Sequence, residues 1–145
     1  MRTLALRFRG ERRLGPHAPP PLHKQAGALR VGEVPGDDRG RTLMLSGDLD
    51  ASSVPALETA LGQCSAGGAD SITLDLSGLR FIDSAGLWVI TSARRWCERR
   101  GHDFWLLPGP PAVQYVFEVT GLSDVLPFRV PGAPEQGAPR RSQRV

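Results

Sequence analysis

A serine set between an aspartate and two small residues, where an apolar run gives way to a helical pattern, is the first feature of this sequence able to do chemistry. It lies in FIDSAGL, residues 81–87. Ser84 falls at the N-cap or in the first turn of the helix that follows. There the amide groups have no intrahelical acceptor, and a phosphate group is electrostatically favoured. The plainer reading is a capping serine, with Asp83 as a second cap and Gly86 allowing the helix start to pack closely. The second feature is SGDLD, residues 46–50, just ahead of another helical pattern. Asp48 and Asp50 flank Leu49, and on a loop such a pair can bind a cation, although one D-x-D without further ligands is a weak signal. The plainer reading is two solvated acids held near a helix N-terminus by its dipole, with one of them free to face a partner's basic group.

The parts of an enzyme are missing around these residues. A nucleophilic serine needs a base, and the histidines are His17, His23 and His102, two of them in a proline-rich N-terminal stretch. His102 follows Gly101 in a turn, where a solvated imidazole is the default. No G-x-S-x-G elbow surrounds Ser84. No phosphate-cradling loop ends in Lys-Ser or Lys-Thr, and no dinucleotide fingerprint is present. Trp88, Trp96 and Trp105 read as core and surface-groove residues rather than as a base-stacking platform. The chain is therefore expected not to be an enzyme and to need no cofactor and no metal.

The elements that must position Ser84 and the two aspartates alternate along the chain. Residues 28–34 (ALRVGEV) form a short strand, PGDDRG at 35–40 is turn chemistry, and Thr42 to Leu45 return as a second strand, so the two make a hairpin. A helix opens near Ser52 or Ser53, either of which can cap it, with Pro55 in its first turn. Val54, Leu57, Leu61 and Cys64 keep helical spacing, and Gly67 and Gly68 end the helix. SITLDL at 71–76 alternates as a strand. The helix from Ser84 runs to about Arg100, with Leu87, Ile90, Arg94 and Cys97 on one line. Arg94, Arg95, Arg99 and Arg100 load its C-terminal half, where positive charge complements the dipole. DFWLL at 103–107 is a strand. Pro110 and Pro111 open a third helix carrying Val113, Val116 and Phe117, closed by Gly121, and Leu126 to Val130 add a last strand. This alternation predicts an α/β domain, a mixed sheet with helices packed on it.

Length and charge bound the rest. The 145 residues allow one domain with one core. Residues 1–27 hold Pro16, Pro19, Pro20 and Pro21 and little periodic pattern, and are expected to be a disordered basic extension. Residues 132–145 read as a flexible tail, leaving 28–131 as the folded domain. The sequence pI near 9.5 tempts toward nucleic acid, but the charge is unevenly placed. Residues 1–30 carry +6, residues 132–145 carry +2, and residues 31–131 carry −5. A nucleic-acid-binding domain concentrates basic charge on its folded elements, so no direct nucleic-acid contact is expected. No apolar run reaches membrane-spanning length, and no secretory signal pattern is present. Cys64 and Cys97 match no metal-ligand spacing and read as half-buried reduced thiols, which points to the cytoplasm.

Residues 44–50 (MLSGDLD), 74–87 (LDLSGLRFIDSAGL) and 112–122 (AVQYVFEVTGL), in this order and spacing, resemble the STAS domain of bacterial anti-sigma factor antagonists over residues 28–130. The resemblance implies a small mixed β-sheet with packed helices in a single domain. It makes Ser84 the regulatory phosphorylation site. The position after it, often Ser or Thr in that family, is Ala85 here, so Ser84 is the only hydroxyl of the motif. Asp48, Asp50, Asp83, Ser84, Ala85, Gly86 and Leu87 are expected on the partner-binding surface. The implied cycle is partner switching. The unphosphorylated domain binds an anti-sigma serine kinase and frees a sigma factor, phosphorylation by that kinase ends binding, and a separate serine phosphatase resets the switch. The alternative is a STAS scaffold or subunit of a sensory or lipid-transport complex that never turns over phosphate, with Ser84 as a cap only. Two departures from the family pattern stand out: proline- and glycine-rich sequence from residue 131, where a further helix often follows, and the N-terminal extension.

Overall fold

The computed structural model describes residues 27–36 and 38–130. The expected basic extension and flexible tail lie outside them, Gly27 apart. Four strands lie in the order β1 (Arg30–Pro35), β2 (Gly40–Leu49), β3 (Ser71–Ile82) and β4 (Asp103–Leu107). The expected hairpin is present: β1 pairs antiparallel with β2 from Arg30↔Ser46 to Pro35↔Arg41. Asp38 adopts a left-handed φ of 52° in its turn, a conformation aspartate tolerates better than most residues. The pairs β2–β3 and β3–β4 are parallel, so each needs a crossover. Helix α1 (Val54–Ala66) supplies the first, preceded by a 3-10 turn at Ala51–Ser53. Helix α2 (Ser84–Arg99) supplies the second, and α3 (Pro111–Val119) follows β4.

One apolar cluster holds these elements together. Alternate residues of the strands, Leu43 and Leu45, then Ile72, Leu74 and Leu76, then Phe104 and Leu106, point into it. Leu57, Leu61 and Cys64 of α1, Ile90, Ala93 and Cys97 of α2, and Val113 and Phe117 of α3 cover them. Met44, between two inward leucines, is 46% exposed on the other face. Cys64 and Cys97 form no disulfide among the described residues and are fully buried rather than half-buried.

Three expectations about the elements need correction. The strands β2 and β3 run to residues 49 and 82, well past the short alternating runs. Gly47 makes the first extension possible. Its φ is +96°, and a Cβ there would collide with the Ala28 carbonyl oxygen, so only glycine fits. The ladder shifts register on both sides of it and then continues through Asp48 and Leu49. Leu126–Val130 is not a strand. Leu106 makes a single parallel bridge with Phe128, closed by bonds from the Leu106 amide to Pro127 O (3.0 Å) and from the Arg129 amide to Leu106 O (2.9 Å). Pro127 has no N–H with which to extend the ladder. His102 is 8% exposed rather than solvated. Its Nε2 lies 3.0 Å from Ser65 Oγ, and its ring centroid lies 6.1 Å from that of Trp96, so it joins the ends of α1 and α2.

Candidate functional site

The two sequence features meet at the C-terminal ends of the adjacent parallel strands β2 and β3. The Asp83 amide donates to the Leu49 carbonyl (3.4 Å), tying the start of α2 to the end of β2. Gly86 fits against the same carbonyl, since a Cβ on it would overlap the Leu49 oxygen and lie 2.7 Å from Ile82 Cγ1. The helix therefore enters as low on the sheet as a backbone can.

Asp83, and not Ser84, caps α2. Its Oδ1 accepts from the Gly86 amide at 3.0 Å, and the Leu87 amide donates to its carbonyl at 2.9 Å. Ser84 is thereby displaced into the first helical position. It is exposed, and no hydrogen bond to its hydroxyl is found among the described residues. The amides of Ser84 and Ala85 begin the helix and have no intrahelical acceptor. The result is a solvent-facing hydroxyl beside the positive end of a sixteen-residue helix.

The aspartates of the other feature are not solvated. Asp48 is 3% and Asp50 2% exposed. Asp50, and not Ser52 or Ser53, caps the turn that leads into α1. Its Oδ1 accepts from the Ser52 amide (3.0 Å), Ser52 Oγ (2.7 Å) and Ser53 Oγ (3.2 Å). Ser53 Oγ in turn accepts from the Asp50 amide at 3.2 Å, which completes a capping box. Asp48 sits in β2, its amide donating to the Gly27 carbonyl at 2.6 Å. Its Oδ2 is buried with no hydrogen-bond partner among the described residues, and the bare Cα of Gly27 makes room for it. Of the residues expected on the partner surface, Ser84 is exposed and Asp83 and Ala85 are half-buried. Asp48, Asp50, Gly86 and Leu87 are buried and shape the site from beneath. No group of three or more metal-ligating side chains is found among the described residues.

Sequence reasoning gave Trp88 only as a core or surface-groove residue and did not connect it with Ser84. Trp88, one turn on, is 55% exposed. It borders a cleft of about 280 Å³ between α1 and α2, formed by Glu58, Leu61, Val89 and Trp96 among others. Burial raises the Glu58 carboxyl above its ordinary value. The i, i+4 spacing of Trp88 from Ser84 was the available signal, because it puts the two side chains on one helix face.

No described helix is long and apolar enough to cross a membrane. A family model described as "Mlab, STAS domain" matches residues 33–127. An anti-sigma-B factor antagonist of Staphylococcus aureus is 26% identical over 94 residues, 65% of this chain and 87% of that protein. One from Listeria monocytogenes is 26% identical over 87 residues, 60% of this chain and 76% of that protein. Among solved structures, an anti-sigma factor antagonist from Mycobacterium paratuberculosis superposes with a TM-score of 0.60 at 25% identity, over 70% of this chain and 85% of that one. Unphosphorylated SpoIIAA, with a TM-score of 0.57 at 22% identity over 81% of this chain and 98% of that one, shares the fold. With the family model covering β2, the DSAGL turn and all three helices, this chain belongs to the STAS-domain family.

Proposed function

We propose that this protein is an anti-sigma factor antagonist whose binding to an anti-sigma serine kinase is switched off by phosphorylation of Ser84. The observation that carries the reading is the position of Ser84, exposed at the first residue of α2 with its hydroxyl unused and the cap supplied by Asp83. A kinase can take that hydroxyl without dismantling a hydrogen bond of the fold. Phosphorylation adds about −1.5 to −2 charge at neutral pH, and the helix N-terminus accommodates it without unfolding. Its effect then falls on the complex. A dianion beside the Asp83 carboxylate, set against a partner surface shaped for a neutral hydroxyl, costs about 3–4 kcal/mol, a several-hundred-fold loss of affinity.

A catalytic role for Ser84 has little support. His102 is the only histidine among the described residues, and it lies beyond the other end of α2, engaged with Ser65. The test is to incubate the full chain with ATP and the candidate kinase and map the phosphopeptide. Phosphate on Ser84, abolished by Ser84→Ala, is expected. Phosphate on Ser77 or Ser92 with Ser84 untouched overturns the reading.

A further inference from the structure

The face of α2 that begins at Ser84 continues well beyond the DSAGL turn. At 3.6 residues per turn Ser84, Trp88, Ser92, Arg95 and Arg99 fall on one line, about 22 Å from end to end. The apolar member is Trp88, more than half in water. The charged members are Arg95 and Arg99, both exposed and neither with an ion pair or hydrogen bond among the described residues. Their neighbours are engaged. Arg94 bonds Glu98 at 3.1 Å and the Val125 carbonyl at 3.1 Å, and Arg100 lies 4.6 Å over the Trp96 ring. Beside the line runs the cleft between α1 and α2, where Leu61, Trp88, Val89 and Trp96 supply the apolar wall; Arg99 lines it as well, and so does Glu58, whose carboxyl burial pushes toward the neutral form.

We propose that this line and cleft dock an acidic segment of a partner protein, with one apolar side chain seated against Trp88 and its carboxylates on Arg95 and Arg99. This rests on the partner-switching reading of Ser84 and names the chemistry of the partner at that same surface. Guanidinium groups without partners match carboxylates in charge and in fork geometry. A cleft of about 280 Å³ fits one bulky apolar side chain, in the manner of an aromatic anchor at the centre of an interface. The chain's own N-terminal residues 1–26 are poor occupants, with six basic residues against one acid, and residues 131–145 are also net basic. A second copy docked face to face on this line brings the same arginines toward themselves. A phosphate on Ser84 acquires a direct consequence, since it sets a dianion at the head of a cationic line and repels the acidic segment that the line attracts.

The test uses the full chain with a photo-activatable benzophenone side chain in place of Ser92, between Trp88 and Arg95. It is irradiated in cells, the cross-linked peptide is sequenced, and the protein so identified is purified for calorimetry. The expected cross-link is to a net-negative peptide with a leucine, methionine or aromatic residue. Trp88→Ala and the double variant Arg95→Glu with Arg99→Glu are each expected to weaken binding at least tenfold with unchanged melting temperatures. A cross-link to residues 1–26, to a second copy, to nucleic acid or to lipid overturns the proposal, as does no cross-link. Unchanged affinity of both variants while Ser84 is still phosphorylated overturns the surface alone. Tenfold losses toward a protein that never phosphorylates Ser84 uphold the surface and overturn the kinase reading.

Discussion

Gly86 rests against the carbonyl oxygen of Leu49 with no room for a side chain between them. This contact fixes the height at which α2 starts and so brings the end of β2 beneath Ser84. The obstacle is backbone, which cannot rotate away as a side chain can. Gly86→Ala recovers up to about 1 kcal/mol of helix propensity but forces α2 or β2 to shift, at a cost of about 1–3 kcal/mol and sometimes more. A net loss of stability is expected, read as a melting temperature lower by several degrees. An equal or higher melting temperature would show that the helix start has slack.

Asp83 supplies the cap and the neighbouring Ser84 is the proposed site of modification, and stability measurements should separate the two roles. Ser84→Ala is expected to stay within about 0.5 kcal/mol of the wild type, as an exposed side chain without a hydrogen bond should. Ser84→Asp should gain about 0.3–1 kcal/mol from the helix dipole. Asp83→Ala should lose about 0.5–2 kcal/mol with the cap. Chemical denaturation of the three variants decides the matter, and a loss at Ser84 larger than at Asp83 would reverse the assignment. In the complex the order inverts, with Ser84→Ala retaining partner affinity and Ser84→Asp losing it.

Asp50 belongs to the fold before it belongs to any interface. Asp50→Ala removes the acceptor shared by the Ser52 amide and the Ser52 and Ser53 hydroxyls, and about 1–3 kcal/mol is expected to go with it. Asp50→Asn keeps an acceptor oxygen and should cost less. Urea melts of both variants check this, and equal stability of Asp50→Ala and wild type would mean that the capping box contributes nothing.

Cys64 is shielded as well as hidden. Burial first, and then the nearby Glu33 carboxylate, push its thiol up to about 11, so very little reactive thiolate is present at neutral pH. Cys97 is buried also. Titration with a chromogenic disulfide reagent at pH 7.5 is expected to be at least tenfold slower for the folded protein than in denaturant. Rapid reaction of the native protein would require an opening between α1 and the sheet.

The element order was legible in the sequence because each helix carries its own punctuation. Pro55 and Pro111 open helices, Gly67, Gly101 and Gly121 close them, and the apolar spacing of Leu57, Leu61 and Cys64 or Val113 and Phe117 does the rest. Ser84 was legible as a position, and its exposure and free hydroxyl were not, because Asp83 and Ser84 are equally good caps until the backbone chooses between them. SGDLD misled for a related reason. Gly and Asp are turn residues, but Gly47 serves a bulge within a continuing strand, and Asp50 turns inward to serine hydroxyls that local patterning cannot weigh. His102 gave no signal, since its partner Ser65 is 37 residues away in sequence.

Trp88 also bears on how this protein can be watched. Trp96 and Trp105 are half-buried beneath Arg100 and Arg129, while Trp88 stands in water one turn from Ser84. An indole in water emits further to the red than one enclosed by protein, so Trp105 is a constant emitter, while Trp88, and to a smaller extent half-buried Trp96 in the same cleft, respond to whatever covers α2. Occupation of that face should shift the emission to the blue, and release should return it. The molecule carries its own optical probe where its partner is expected to land, and a fluorimeter can follow the switch in real time with no label attached.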